Sequence, residues 1–296
     1  MSDPARPVRA LGLRKRFAGE PVLRGIDLAF EPGEITVLMG PNGDGKTVLL
    51  CCLGGGLRPS AGRALIEGRP AHRAGSRASL LLQGSVGLPA LTGPETARFY
   101  AALHPAATGT WSRLLDRFDM TDTDTLLKHC SAGMRRKVEL AVALDPDVPA
   151  VLLDEPTAAL DLGSVHALHR VLRERRNDGA AVVLTSHAPL DIRLGDRLVF
   201  IHHGTVVADG RPERLMAELP PVVRLHGAVH EAIATIRPRL RGGHCYGSGA
   251  ELRGFLPADS AVSELRAALG EIDVTVARVD PTPRDLYENL AAIRTE

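Results

Sequence analysis

The sequence predicts an α/β fold built on a largely parallel sheet, followed by a smaller α+β unit. Three observations carry this. Short apolar runs alternate with helix-length segments between residues 35 and 201, the pattern of strand–helix–strand crossovers. One run, Ile35-Thr-Val-Leu-Met39, feeds directly into a glycine-rich loop. At Leu219-Pro-Pro221 the pattern stops and another begins, which divides the chain into 1–218 and 219–296.

The elements follow in order. Residues 8–17 read as a strand, and Val22–Phe30 as another with period-two alternation. Glu31-Pro-Gly33 is a turn. Ile35–Met39 is a buried strand, and residues 46–54 are the helix that opens after the loop. Pro59 to Gly62 signals a turn before the strand Arg63–Ile66. Ser79–Gln83 is an apolar strand with a polar end. Residues 93–103 and 111–118 have helical spacing, as does the stretch from Ser131, where Met134, Val138, Ala141 and Val142 share a face. Val151–Leu153 is a strand, Ser164–Arg176 an amphipathic helix, and Ala181–Thr185 and Leu198–Ile201 are strands, with a turn at Gly204. Beyond the break come strand 222–225, helix 228–236, two strands within 243–256, helix 260–269 and strand 273–279. That βαββαβ order predicts a ferredoxin-like module.

Composition narrows the function classes. Aromatic residues are only 3% of the chain, so the core must rest on Leu, Val, Ile and Ala. Net charge is +1 with both signs intermixed, against the basic excess of a nucleic-acid partner. Cys51 and Cys52 are adjacent and no framework spacing exists, which fits reduced thiols. No apolar run reaches the roughly 20 residues that cross a bilayer. The N-terminal Met-Ser-Asp-Pro-Ala-Arg-Pro lacks the apolar core of a signal peptide. The expectation is a soluble chain whose membrane role, if any, comes through a partner.

Three segments carry chemistry. Gly40-Pro41-Asn42-Gly43-Asp44-Gly45-Lys46-Thr47 fits the phosphate-loop pattern between a strand and a helix. Its glycines let backbone N–H groups turn toward a phosphate, and the helix start adds partial positive charge. Lys46 is expected to reach the β- and γ-phosphates, and the Thr47 hydroxyl to coordinate Mg²⁺. Val151-Leu-Leu-Asp154-Glu155 is an apolar strand ending in two carboxylates, at the sheet edge where ligands bind. Asp154 is the expected Mg²⁺ holder and Glu155 is placed to polarise a water. Ser131 fits an N-cap, Gly133 allows close backbone approach, and Arg135, Arg136 and Lys137 crowd the first turns. That crowding opposes the helix dipole and is tolerable where an anion docks.

Together these segments resemble the nucleotide-binding subunit of ABC transporters over most of residues 8–215. Phe17 resembles the aromatic that stacks on adenine, and Gly40–Thr47 Walker A. Gln83 resembles the Q-loop glutamine, and Ser131–Met134 the signature in its SxGM variant. Asp154 and Glu155 resemble Walker B and the catalytic carboxylate, Ala159-Leu160-Asp161 the D-loop, and His187 the switch histidine. The resemblance implies a P-loop ABC ATPase domain: a mainly parallel core with an antiparallel β lobe and a helical subdomain. It implies ATP and Mg²⁺, with Thr47, Gln83 and Asp154 toward the metal. Catalysis falls to Glu155, His187 and Gln83. It also implies a head-to-tail pair of such domains, a homodimer or heterodimer, in which Ser131 and Gly133 close over ATP on the other chain's Lys46. The pair works at the inner face of the membrane on a separate permease. The SxGM variant, Leu91-Thr92-Gly93-Pro94-Glu95-Thr96 and Pro281-x-x-x-Asp285-Leu-Tyr287 resemble ABC-2-type exporters.

Four positions depart from the common pattern. Asp44 puts a carboxylate in the loop and is expected to point outward, leaving its N–H in use. Val48 lacks the hydroxyl that often supports the α-phosphate. Ala132 and Met134 replace Gly and Gln of the signature. Asp44 and Val48 motivate an alternative, a slow regulatory partner in a heterodimer. A soluble ABC ATPase of translation or DNA repair is the other, though the stretch between Thr47 and Ser131 is short and has no heptad run. His166, His169, His202 and His203 are read as solvated histidines for want of a third metal ligand.

Overall fold

Runs of Val, Leu and Ile without polar alternation become strands covered on both faces. The computed structural model, which describes residues 8–74, 77–84, 88–258 and 261–292, places three such runs at the centre of a sheet. Its first unit, Met1 to Asp209, contains in order β1 (Val8–Phe17), β2 (Glu20–Phe30), β3 (Ile35–Met39), α1 (Lys46–Leu53), β4 (Ala61–Ile66), β5 (Arg69–Pro70), β6 (Ala78–Leu81), α2 (Gly93–Leu103), α3 (Trp111–Arg117) and α4 (Ala132–Leu144). Then come β7 (Ala150–Asp154), α5 (Leu162–Asn177), β8 (Ala181–Thr185), α6 (Pro189–Leu194), β9 (Arg197–His202) and β10 (Thr205–Gly210), whose last residue opens the second unit.

The main sheet has the order β10-β9-β3-β8-β7-β6. From β9 to β6 the neighbours run parallel. Every residue of β3, β7 and β8 is buried. Parallel neighbours share one carboxyl edge, so the segments after β3, β6, β7 and β8 converge there. Those segments carry the phosphate loop, Gln83, Glu155 and His187. An antiparallel sheet, β2-β1-β4-β5, forms the second layer. Leu13, Ile26 and Phe30 of that lobe share one core with Leu49 and Leu50 of α1 and Leu152 of β7. Helices α2, α3 and α4 pack on one another as a helical region.

The second unit, Gly210 to Glu296, contains α7 (Pro212–Ala217), β11 (Val222–Gly227), α8 (Ile233–Ile236), β12 (Cys245–Ser248), β13 (Glu251–Phe255), α9 (Ala261–Leu269), β14 (Val274–Val279) and α10 (Pro283–Ala292). Its antiparallel sheet has the order β12-β13-β11-β14. Val223, Leu225, Ile236 and Leu265 build its core. The division at 209/210 lies earlier than the 218/219 read from the proline pair, because α7 packs against α10. Helix α10 extends past the last strand read from sequence. Its start is a box in which Asp285 accepts from the Thr282 N–H and the Asp285 N–H reaches back to the Thr282 hydroxyl. Among the described residues no helix is long and apolar enough to cross a membrane.

Candidate active site

The loop between β3 and α1 is shaped by glycines that nothing else can replace. Gly40 has φ +140°, and a Cβ there would lie 1.9 Å from the Ile201 carbonyl oxygen of β9. Gly45 has φ +94°, and its Cβ would lie 2.7 Å from Leu23. Gly45 is also the N-cap of α1 and supplies no side-chain cap, so the start of that helix is open to an anion. Asn42 and Gly43 form the exposed rim of the loop. Lys46 is buried, and its Nζ donates to the Gly40 and Pro41 carbonyls at 2.6 and 2.8 Å. Burial pushes its pKa down, while the negative charges of Glu155, Asp44 and Asp154 oppose that shift.

The two ends of the site are joined directly. The Thr47 hydroxyl donates to Asp154 Oδ2 at 2.7 Å. The Thr185 hydroxyl donates to Asp154 Oδ1 at 2.6 Å and accepts from the Glu155 N–H at 2.9 Å. Thr185 is fully buried, and from sequence it is only the lead-in to His187. Glu155 has φ +44°, a left-handed conformation that costs a non-glycine residue about 1–3 kcal/mol. Its charge reaches both Lys46 and His187. His187 faces solvent on one side, but crowding on the other desolvates it and lowers its pKa. Lys46 pushes the same way and Glu155 opposes. A shared carboxylate influence therefore links Lys46, Glu155 and His187.

The basic run of α4 corrects the sequence reading. It is not presented to an anion. Arg135 donates to the Cys130 carbonyl at 2.6 Å. Arg136 is buried, pairs with Glu139 at 3.0 Å, and donates to the carbonyls of Leu82, Asp154, Glu155 and Pro156. One guanidinium thus holds the ends of β6 and β7 together. Lys137 pairs with Asp161 at 3.2 Å. Ser131 caps α4, accepting from the Met134 N–H at 3.1 Å. Gly133 is required within the chain, since a Cβ there would lie 2.8 Å from the Ala159 carbonyl oxygen.

Several other residues answer expectations. Val48 packs against the core shared by α1 and the β lobe, which accounts for an apolar residue at that position. Asp44 does not point outward as expected: its carboxylate is nearly enclosed and turned to His202, its partner in β9. His202 and His169 are both buried rather than solvated, whereas His166 is exposed. His169 pairs with Asp191 at 2.6 Å, and Asp191 also accepts from Thr157 and Ser186, each at 2.6 Å. This buried carboxylate ties the segment after Glu155 to the residue before His187. Phe17 stands 44% exposed at the end of β1, with the Lys15 ammonium 4.9 Å from its ring centre. Gln83 is exposed after β6. Among the described residues neither hydrogen-bonds to Lys46, Thr47 or Asp154.

Comparison with known proteins identifies the family. A family described as ABC transporter matches residues 23–158. The chain is 32% identical over 251 residues to the daunorubicin resistance ATP-binding protein DrrA3 of Streptomyces coeruleorubidus, covering 80% of this chain and 79% of that one. It is 36% identical to the hemin import ATP-binding protein HmuV of Nocardia farcinica, covering 70% and 78%. A solved ATP-binding subunit of an ABC transporter superposes with a TM-score of 0.66 at 25% identity, over 72% of this chain and 92% of that one. The glycine cradle, the Lys46 ammonium and the Thr47–Asp154 junction are therefore features of a chain that belongs to the ABC transporter family, as one of its ATP-binding proteins.

Proposed function

We propose that the chain is the ATP-hydrolysing subunit of an exporter. It binds ATP with Mg²⁺ and pairs head to tail with a second nucleotide-binding chain. The pair works at the cytoplasmic face of the membrane on a separate permease of the ABC-2 type. What carries the reading is the direct bond between the phosphate loop and the β7 carboxylate, Thr47 to Asp154 at 2.7 Å, with Thr185 linking that carboxylate to the Glu155 backbone.

Each residue then has a task. Lys46 is held over the loop by two neutral carbonyls, weaker acceptors than an anionic phosphate oxygen. Thr47 and Asp154 offer the hard oxygen donors that Mg²⁺ prefers. The cation, when bound, supplies positive charge against the phosphates. Glu155, turned out of its strand at φ +44°, accepts a proton from the attacking water. His187 is kept toward its neutral form by crowding and by Lys46, so it can donate one N–H to the γ-phosphate. Positioning and charge complementarity do most of the work in such a transfer.

Export is supported by the drug-resistance relative, which aligns over 80% of the chain against 70% for the hemin importer. The alternative of a slow regulatory partner rests on Asp44 and Val48, whose side chains have partners within the fold, His202 for the first and the core for the second. The test is Glu155→Gln. Hydrolysis, followed by phosphate release, should fall by about 10²–10⁴-fold, the usual contribution of a general base. ATP-induced pairing on a sizing column should persist. Normal turnover would remove Glu155 from the role.

A further inference from the structure

His202 ends β9, and His203 with Gly204 makes the two-residue turn into β10. From sequence this is a histidine pair without a third ligand. The fold supplies one from 158 residues away. Asp44 Oδ2 lies 2.6 Å from His202 Nδ1, and Asp44 Oδ1 lies 3.9 Å from His203 Nδ1. Among the described residues, one ligand atom from each of the three falls within 4.8 Å of the others.

The backbone around the trio is fixed. Gly40 touches the Ile201 carbonyl so closely that a Cβ would overlap it, and Gly204 sits likewise against the Val22 carbonyl. The Arg24 N–H donates to Gly204 O at 2.9 Å. The side chains of Asp44 and His202 are nearly enclosed, at 11% and 9% exposure, while that of His203 is 62% exposed. Two ligands are thus held in place and the third can swing in from solvent.

We propose that Asp44, His202 and His203 bind one divalent transition-metal cation of the Zn²⁺ class, which ties the phosphate loop to the β9–β10 turn. Two imidazoles and a carboxylate suit Zn²⁺, Ni²⁺ or Cu²⁺ better than Mg²⁺ or Ca²⁺. Zinc bonds of about 2.0–2.1 Å at tetrahedral angles put neighbouring ligand atoms about 3.3 Å apart. The 2.6 Å between Asp44 Oδ2 and His202 Nδ1 must therefore open, and His203, now 3.9 Å from the other carboxylate oxygen, must turn toward the ligating one. Rotation of the exposed His203 ring, now stacked on His202 at 4.1 Å between centres, supplies the second of these movements. The cation would also neutralise the one carboxylate inside the phosphate loop. No nucleotide is required to build the site, so it stands independently of the hydrolytic reading.

The full chain, stripped of metal, is titrated with Zn²⁺ against a chromophoric chelator and with Co²⁺ in visible light. We expect one equivalent bound, with the d–d bands of a Co²⁺ ion ligated by nitrogen and oxygen. His203→Asn retains a residue that tolerates the φ of +48° found there. It should weaken binding by at least the roughly 10–100-fold that loss of a supporting residue costs a metal site, and Asp44→Ala should do the same. Hydrogen exchange across residues 40–47 should slow with Zn²⁺ in the native chain and not in His203→Asn. Absence of stoichiometric binding, or unchanged affinity in a folded His203→Asn chain, overturns the proposal and leaves Asp44–His202 an ordinary buried hydrogen-bonded pair.

Discussion

Two helix starts in this chain look alike in sequence and differ in construction. Helix α1 begins at Gly45 with no side-chain cap and no acidic residue in its first turn. Its lysine is folded onto the loop's own carbonyls. Helix α4 begins at Ser131, which caps its own helix. Its arginines are turned inward to carbonyls and Glu139, and its Gly133 is pressed against Ala159. The first end is open and can take an anion unaided. The second is already satisfied, and what it still offers outward is an exposed serine. The difference fits the proposed function, in which the two ends are unequal halves of a site: α1 would bind the nucleotide, and α4 would complete a site formed on another copy.

The contrast can be broken at its strongest point first. Arg136→Met removes the cation that holds four carbonyls and strands a buried Glu139. Loss of one partner of a buried pair typically costs about 3–5 kcal/mol, to be read in urea unfolding. A loss under about 1 kcal/mol would mean that the basic run is not the internal brace described here. Ser131→Ala comes next. It removes an N-cap worth about 1 kcal/mol, and nucleotide binding to the single chain should be unchanged while hydrolysis in the pair falls. Weakened binding in the isolated chain would place Ser131 in the same half-site as Lys46.

The smallest effect tests the D-loop tie. Asp161 caps α5, and its pKa is lowered to about 2, first by the Ser164 N–H, then by the Ser164 hydroxyl, with Lys137 adding less. A depressed carboxylate stabilises the fold above its unfolded pKa, near 3.8, and loses that contribution as pH falls toward 2. Asp161→Asn should therefore lower the melting temperature at pH 6 and lower it by clearly less at pH 2.5, where only part of that contribution is left. An equal loss at both values would show that the charge is irrelevant.

Much of the site was legible because its motifs are contiguous and sit at strand ends. Lys46, Thr47, Asp154 and His187 each follow an apolar run, and the shared direction of β3, β7 and β8 brings those ends together. What sequence reading missed shares one physical cause. Arg136, Thr185 and Asp191 act through partners that are far away in the chain or are backbone carbonyls, which carry no residue signal. Asp44 seemed a misplaced carboxylate because its partner, His202, is remote in sequence. In the second unit the α10 start was visible as Thr282-Pro-Arg-Asp285, but it was read only as part of an exporter marker. Thr92-Gly-Pro-Glu95 is likewise a capping box, opening α2. Both stretches do local work in addition to any family resemblance.

The central claim is that the open start of α1 and the satisfied start of α4 serve the same nucleotide from different copies. Lys46→Ala and Ser131→Ala chains, each inactive alone, can be mixed under conditions where subunits exchange. Random pairing in a two-fold pair makes half the dimers mixed, and each mixed dimer has one intact site. Phosphate release should therefore recover to about a quarter of the unmutated rate. A mixture as inactive as its parents, with exchange verified by tagged pull-down, would contradict the account, because it would put Lys46 and Ser131 on the same half of the site.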